Sequence, residues 1–171
     1  ATAEDLPDAS FAGQQETYLN VQGIDNVLHY IRQCYASLWG DRAVSYRCNQ
    51  GYNQSAVAIA VVIQVMVASE KAGVLFTLNP VTQNKDEIQI NASYGLGESV
   101  VSGRVTADNY IVSKSGNVID ITIGSKETQI VYADKNTKEE PVSGEKKSMR
   151  ALNDTEIAGL VNAALKIEKH Y

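Results

Sequence analysis

Residues 56–78 read AVAIAVVIQVMVASEKAGVLFTL, and the fold turns on how this stretch is interpreted. It opens with the longest apolar run in the chain, 56–67, broken only by Gln64; after Ser69-Glu70-Lys71 and Gly73 a second run covers 74–78. β-Branched side chains, stiff at χ1, dominate both runs and favour strand over helix. Two such runs around a polar break predict two antiparallel strands in a sheet covered on both faces. Gln64 is then the odd residue, because an unpartnered amide inside a buried strand costs about 1–3 kcal/mol. In one reading a neighbouring backbone group or a water satisfies it. In the other, Gln64-Val65-Met66-Val67 offers an amide, main-chain groups and a soft thioether to the edge of a flat heteroaromatic ring such as a purine.

Working outward, 171 residues suit one domain with room for two lobes. A net charge of −5 opposes a nucleic-acid face, which needs a cationic patch to displace counterions. Cys34 and Cys48 show no paired metal-ligand spacing and read as reduced thiols of a cytoplasmic protein. The polar, acidic residues 1–10 are no signal peptide, and the longest apolar run is too short to span a bilayer, so no membrane partner is expected. The chain starts without Met and ends without a helix-stop signal, and reads as a piece of a longer polypeptide.

Before the central stretch, Gly13-Gln14-Gln15-Glu16-Thr17 precedes a short strand candidate at 18–21. Glycine permits close backbone approach to a ligand, and the following amides with the Thr17 hydroxyl can converge on one anion; a plain turn is the alternative. Ile24, Val27, Leu28, Ile31, Tyr35 and Leu38 follow the helical period, with Gly40 as a stop. Residues 41–48, DRAVSYRC, suit a second short helix, whose Arg42 and Arg47 meet either phosphates or nearby acids. Beyond the centre, 87–93 alternates as a strand and 94–98 is a glycine turn, with Glu98 read as capping the turn or, alternatively, as a polar contact near a site. Residues 110–113 and 118–123 flank a hairpin signal, and 128–133 is a further strand. Residues 134–147 are charged and contain Pro141 and Gly144, predicting a loop that extends to about 150. Asn153 with Glu156 forms a capping-box signature for a final helix with Ile157, Leu160, Val161, Ala164 and Leu165 buried.

ATAEDLPDASFAGQQET, DRAVSYR, VVIQVMV, GVLFTLNPVT, NASYGLGESVVSG and LNDTEI…IEKHY occur in one order across nearly the whole chain. Together they resemble the ATP-binding domain shared by phosphoenolpyruvate synthase, pyruvate phosphate dikinase and rifampicin phosphotransferase. The resemblance implies an α+β, ATP-grasp-like fold, here a partial domain over 1–171 with a mainly antiparallel sheet and flanking helices. It implies that Gly13, Gln14, Gln15 and Thr17 cover the ATP phosphates, that Gln64 reads the adenine edge, and that Met66 lies in the same segment. The implied parent is a kinase-type transferase, first a phosphoenolpyruvate synthase and alternatively a rifampicin phosphotransferase. Its Mg²⁺ ligands fall beyond residue 171, and its phospho-histidine sits in a separate swivelling domain, with the acceptor in another. The chain alone is therefore expected to hold no catalytic residue and to transfer no phosphate. The reading from another class is a β-rich binding module without chemistry.

Overall fold

The computed structural model describes residues 5–6, 9–10, 13–133 and 136–171. The chain divides into two units, Ala1–Met66 with Asp134–Asn136, and Val67–Ala133 with Thr137–Tyr171.

In the first unit, two-residue strands β1 (Asp5–Leu6) and β2 (Ala9–Ser10) pair antiparallel, Asp5 opposite Ser10. Helix α1 (Ile24–Ser37) matches the period read from sequence, with Asp25 in its first turn complementing the dipole. Its apolar stripe, however, is not covered: no α1 residue is buried, and Ile24 is 70% exposed. Gly40 does not stop α1, whose C-cap is Leu38; it is the N-cap of α2 (Asp41–Asn49). The strand expected at 18–21 is also absent. That segment is irregular, and Tyr18 lies against Tyr30 with ring centroids 4.5 Å apart.

A 3-10 turn at Gln54–Ala56 leads into the decisive stretch. From 57 to 69 the chain forms no strand, which corrects the predicted hairpin. Val62 and Val65 are 82% and 89% exposed, and Gln64 is exposed as well. The physical reason is pairing. A strand exists only where a ladder of backbone hydrogen bonds runs along it, and 57–69 joins none of the sheets formed by the described residues. The cost of burying the Gln64 amide does not arise.

In the second unit, β3 (Lys71–Phe76) takes up the second apolar run but pairs with the next strand in sequence, β4 (Glu87–Tyr94), Lys71 opposite Tyr94. A one-turn helix α3 (Glu98–Val101) follows, with Gly97 at its N-cap and Glu98 as its first residue. Strands β5 (Asp108–Ser113) and β6 (Val118–Thr122) complete an antiparallel sheet of order β3-β4-β5-β6. β7 (Thr128–Tyr132) and β8 (Thr137–Pro141) form a separate antiparallel ribbon, followed by α4 (Gly144–Ser148) and α5 (Asp154–His170). Residues 137–148 are therefore structured, a correction to the long loop; 134–135, its first two residues, lie outside the described residues. The polar TKEEP sequence hides β8, whose residues are all exposed or half-buried.

The four-stranded sheet is buried on one face, not both. Ile88, Ile90 and Ala92 of β4 and Tyr110 and Val112 of β5 point to that face, while Gln89, Asn91, Asn109 and Ile111 alternate with them half-buried. Ile157, Val161 and Ala164 of α5 close the core with Leu152. Leu160, placed in the stripe by sequence, is 37% exposed instead. The capping box of α5 is present: Glu156 N–H donates to Asn153 Oδ1 at 2.9 Å and Asn153 N–H to Glu156 Oε2 at 2.8 Å.

A buried polar hub fixes the approach to α5. The fully buried Asp108 carboxylate accepts from Lys126 Nζ, from Gly124 N–H at 2.8 Å, from Tyr110 Oη at 3.0 Å and from Ala151 N–H at 2.7 Å. Tyr110 Oη in turn accepts Leu152 N–H at 3.0 Å. Burial of the Tyr110 phenol pushes its pKa up to about 12, against the Leu152 hydrogen bond that lowers it. Gly95, at φ +80°, closes β4; a Cβ there would meet the Ile130 carbonyl oxygen at 2.4 Å, so no other residue fits this turn.

Candidate functional site

The residues singled out for ligand binding fall on two stretches of the first unit. Gly13 opens the loop at φ +72°, and among the described residues none but its chain neighbours comes within 4 Å of where a Cβ would stand. A left-handed residue with open space beside it is what a backbone needs to approach a ligand closely. Gln14 and Gln15 follow, both half-buried, and Gln14 Oε1 and Gln15 Nε2 are buried without a hydrogen-bond partner. Buried amide atoms are nearly always paired, so these two, without a partner among the described residues, are unusual. Thr17 is exposed.

Glu16 anchors the loop to the helices. Its N–H donates to Ser37 Oγ at 3.2 Å, its carbonyl accepts from Cys34 Sγ at 3.7 Å, and its carboxylate pairs with Arg42 at 2.9 Å. The Glu16 amide is thus already engaged and withdrawn from the set of donors that sequence pointed at one anion. Arg42 likewise takes the commoner of its two sequence readings, pairing with an acid. Gln14, Glu16 and Tyr18 line one wall of a cleft of about 350 Å³; Ser37 ending α1 and Gly40 to Ala43 at the start of α2 line the other. Burial, followed by the Glu16 charge, raises the pKa of both Tyr18 and Cys34. Cys34 is thereby kept as a neutral thiol, the opposite of what a nucleophile requires.

Met66 joins the second stretch to the first. Asn20 N–H donates to Met66 Sδ at 3.1 Å across 46 positions of sequence, with Asn20 itself at φ +53°. This contact brings the 64–66 segment to the residues just beyond Thr17. Sequence reasoning missed Asn20; the signal was an asparagine inside the predicted 18–21 strand, a residue that strands disfavour and that tolerates left-handed backbone. Among the described residues, no three His, Cys, Asp or Glu side chains are grouped to hold a metal ion, and no helix is long and apolar enough to cross a membrane. The glycine turn at 95–97 belongs to the second unit and is structural: Leu96 N–H donates to the Ile130 carbonyl at 2.7 Å, tying it to β7.

Comparison with known families decides what kind of domain carries this loop. The model of the pyruvate phosphate dikinase AMP/ATP-binding domain matches residues 1–171. The chain belongs to this family. Among curated proteins, it is 50% identical over its whole length to a probable phosphoenolpyruvate synthase of Methanocaldococcus jannaschii, of which it spans 15%. It is 48% identical to a phosphoenolpyruvate synthase of Pyrococcus furiosus and 45% identical to a rifampicin phosphotransferase of Bacillus cereus, spanning all of itself and 22% and 20% of those proteins. The chain thus spans about 15–25% of the curated relatives it matches first. Its α+β build of helices and antiparallel sheets agrees with membership of the AMP/ATP-binding domain family.

Proposed function

We propose that this chain is the nucleotide-binding part of a dikinase-type phosphotransferase whose parent acts as a phosphoenolpyruvate synthase. In this reading Gly13, Gln14, Gln15 and Thr17 cover the phosphates of ATP. Gln64 reads the adenine edge by its amide, and Met66 lies beside it. The observation that supports the reading is the Asn20–Met66 hydrogen bond, which joins the 64–66 segment to the residues that follow Thr17. The orphaned Gln14 Oε1 and Gln15 Nε2 and the open space at Gly13 support the fit to a polar, multiply accepting and donating group. The exposed Gln64 suits a residue that meets its partner only when ligand arrives.

In the parent, ATP phosphorylates a histidine on a separate swivelling domain and the phosphate passes to pyruvate. The acceptor domain belongs to the same polypeptide, and the protein works in the cytoplasm. Neither His29 nor His170 takes that role. Mg²⁺ would neutralise phosphate charge in such a reaction, and the resemblance to this family implies that its ligands belong to the rest of the parent. What these residues contribute is position: a loop that closes over an anion and an amide that selects the base. A rifamycin as acceptor is the second reading, favoured by the 45% identity to a rifampicin phosphotransferase, close to the values for the synthases.

The test is ATP binding by calorimetry to the parent protein and to this chain. The parent binds, and Gln64→Ala weakens it at least tenfold; the chain alone binds weakly and transfers no phosphate above a Gly13→Trp control. Unchanged affinity in Gln64→Ala, or no nucleotide effect on thermal stability in the parent, would return the chain to a binding module without chemistry.

A further inference from the structure

The loop assigned above to the phosphates of ATP carries one acid, Glu16, set between Gln15 and Thr17. Arg42 holds it: Nη2 donates to Glu16 Oε1 at 2.9 Å, joining the start of α2 to the loop across 26 positions of sequence. The same glutamate is fastened twice more, its N–H donating to Ser37 Oγ at 3.2 Å and its carbonyl accepting from Cys34 Sγ at 3.7 Å. Carboxylate, N–H and carbonyl of Glu16 are thus all engaged by α1 and α2. Gln14, Glu16 and Tyr18, every second residue, line the cleft on that side, and the intervening Thr17 is exposed. Fixing Glu16 and Tyr18 against the helices leaves Thr17 on the open side of the loop.

Stability does not account for the pair. The Arg42 and Glu16 side chains are 63% and 51% exposed, and ion pairs so exposed contribute little to folding. What the pair changes is the local charge. Of the described residues that line the cleft, Glu16 and Asp41 are acidic and Arg42 alone is basic. An unpaired carboxylate between the contacts of a phosphate repels it, and like charges brought together cost affinity. Arg42 cancels the charge of Glu16 and draws its carboxylate toward the helices.

We propose that Arg42 is a positioning residue for the nucleotide: it neutralises Glu16 and pins it to α2, so that Thr17 faces the phosphates, and does not touch them itself. The proposal rests on the reading that residues 13–17 cover the phosphates of ATP.

A double-mutant cycle in the parent protein, read by calorimetric titration with Mg-ATP, tests it. Arg42→Met should weaken binding about tenfold by leaving the Glu16 charge unanswered. Arg42→Lys should stay within about threefold of the unsubstituted protein, because a single contact asks for charge and not for a planar fork. Glu16→Gln combined with Arg42→Met should also recover to within about threefold, because the acid that Arg42 answers is gone. Tm should stay within about 3 °C in every variant, since the pair is exposed. A double variant as weak as Arg42→Met would make Arg42 a phosphate contact in its own right. Unchanged affinity in Arg42→Met would detach the pair from the nucleotide, and a large fall in Tm that Glu16→Gln does not restore would make its role structural. Each of these overturns the proposal. If Arg42→Met does not fold, the comparison of Glu16→Gln with the double variant decides: equal affinities are expected, and a tenfold difference overturns it. Absence of ATP binding by the unsubstituted parent would overturn the reading of the loop and this proposal together. Binding that Gln64→Ala weakens but the Arg42 series leaves alone overturns this proposal only.

Discussion

The first unit holds the longest apolar run of the chain and buries, among its described residues, only Leu38, Ala43 and Arg47. The second holds shorter, alternating runs and builds a continuous core from Ile88 to Ala164. Apolar content therefore does not make a core; a partner surface does. Burying a valine or isoleucine side chain contributes about 1.5–3 kcal/mol, and Val62, Ile63 and Val65 forgo most of it. Ordering each residue's backbone costs roughly 1–2 kcal/mol whatever the outcome. The second unit offsets that cost with its own buried side chains, while few of the first unit's described residues are buried to do so.

Substitutions sharpen this contrast, and the largest effect belongs to the hub. Asp108→Ala leaves Lys126 buried without its carboxylate and releases the amides of Gly124 and Ala151. It should lower stability by about 3–5 kcal/mol, read by urea denaturation followed by circular dichroism. A loss under 1 kcal/mol would mean the hub is not what fixes α5.

A matched pair comes next. Ile157→Ala empties a core position 1% exposed and should cost about 2–5 kcal/mol. Ile63→Ala, at 66% exposure, should stay within about 0.5 kcal/mol in this chain. Equal losses at the two sites would erase the distinction between the units.

The smallest effect is electrostatic. Glu156 accepts both Lys71 Nζ contacts, at 2.7 and 2.9 Å, and the Asn153 amide; these lower its pKa below the ordinary 4.5. A lowered folded pKa means stability that is present above the unfolded value and lost as pH falls through the folded one. Acid titration should therefore show a modest loss beginning near pH 4.5, reduced in Lys71→Met. The pair is about one-third exposed, so solvent screens much of it.

How far the sequence could be read follows from the same contrast. Alternation gave β4, a turn signal gave β5 and β6, the period gave α1 and α5, and the capping box of Asn153 and Glu156 was legible residue by residue, because each signal is local. The 56–67 run failed because its strand status depends on a partner that no local pattern names. β8 failed for the converse reason, a polar sequence held by its ladder to β7. At the candidate site, Gly13 and the glutamines were legible as residue types. The engagement of Glu16 by Ser37, Cys34 and Arg42, and the Asn20–Met66 contact, join positions 18 to 46 apart and could not be.

The claim that residues 13–17 and 64–66 serve one ligand is tested most directly by amide NMR of the 171-residue chain titrated with ATP. The resonances of Gly13, Gln14, Gln15, Thr17, Gln64 and Met66 should shift together with one dissociation constant, while β4 and β5 stay unmoved. Shifts confined to one of the two stretches, or two different constants, would contradict it.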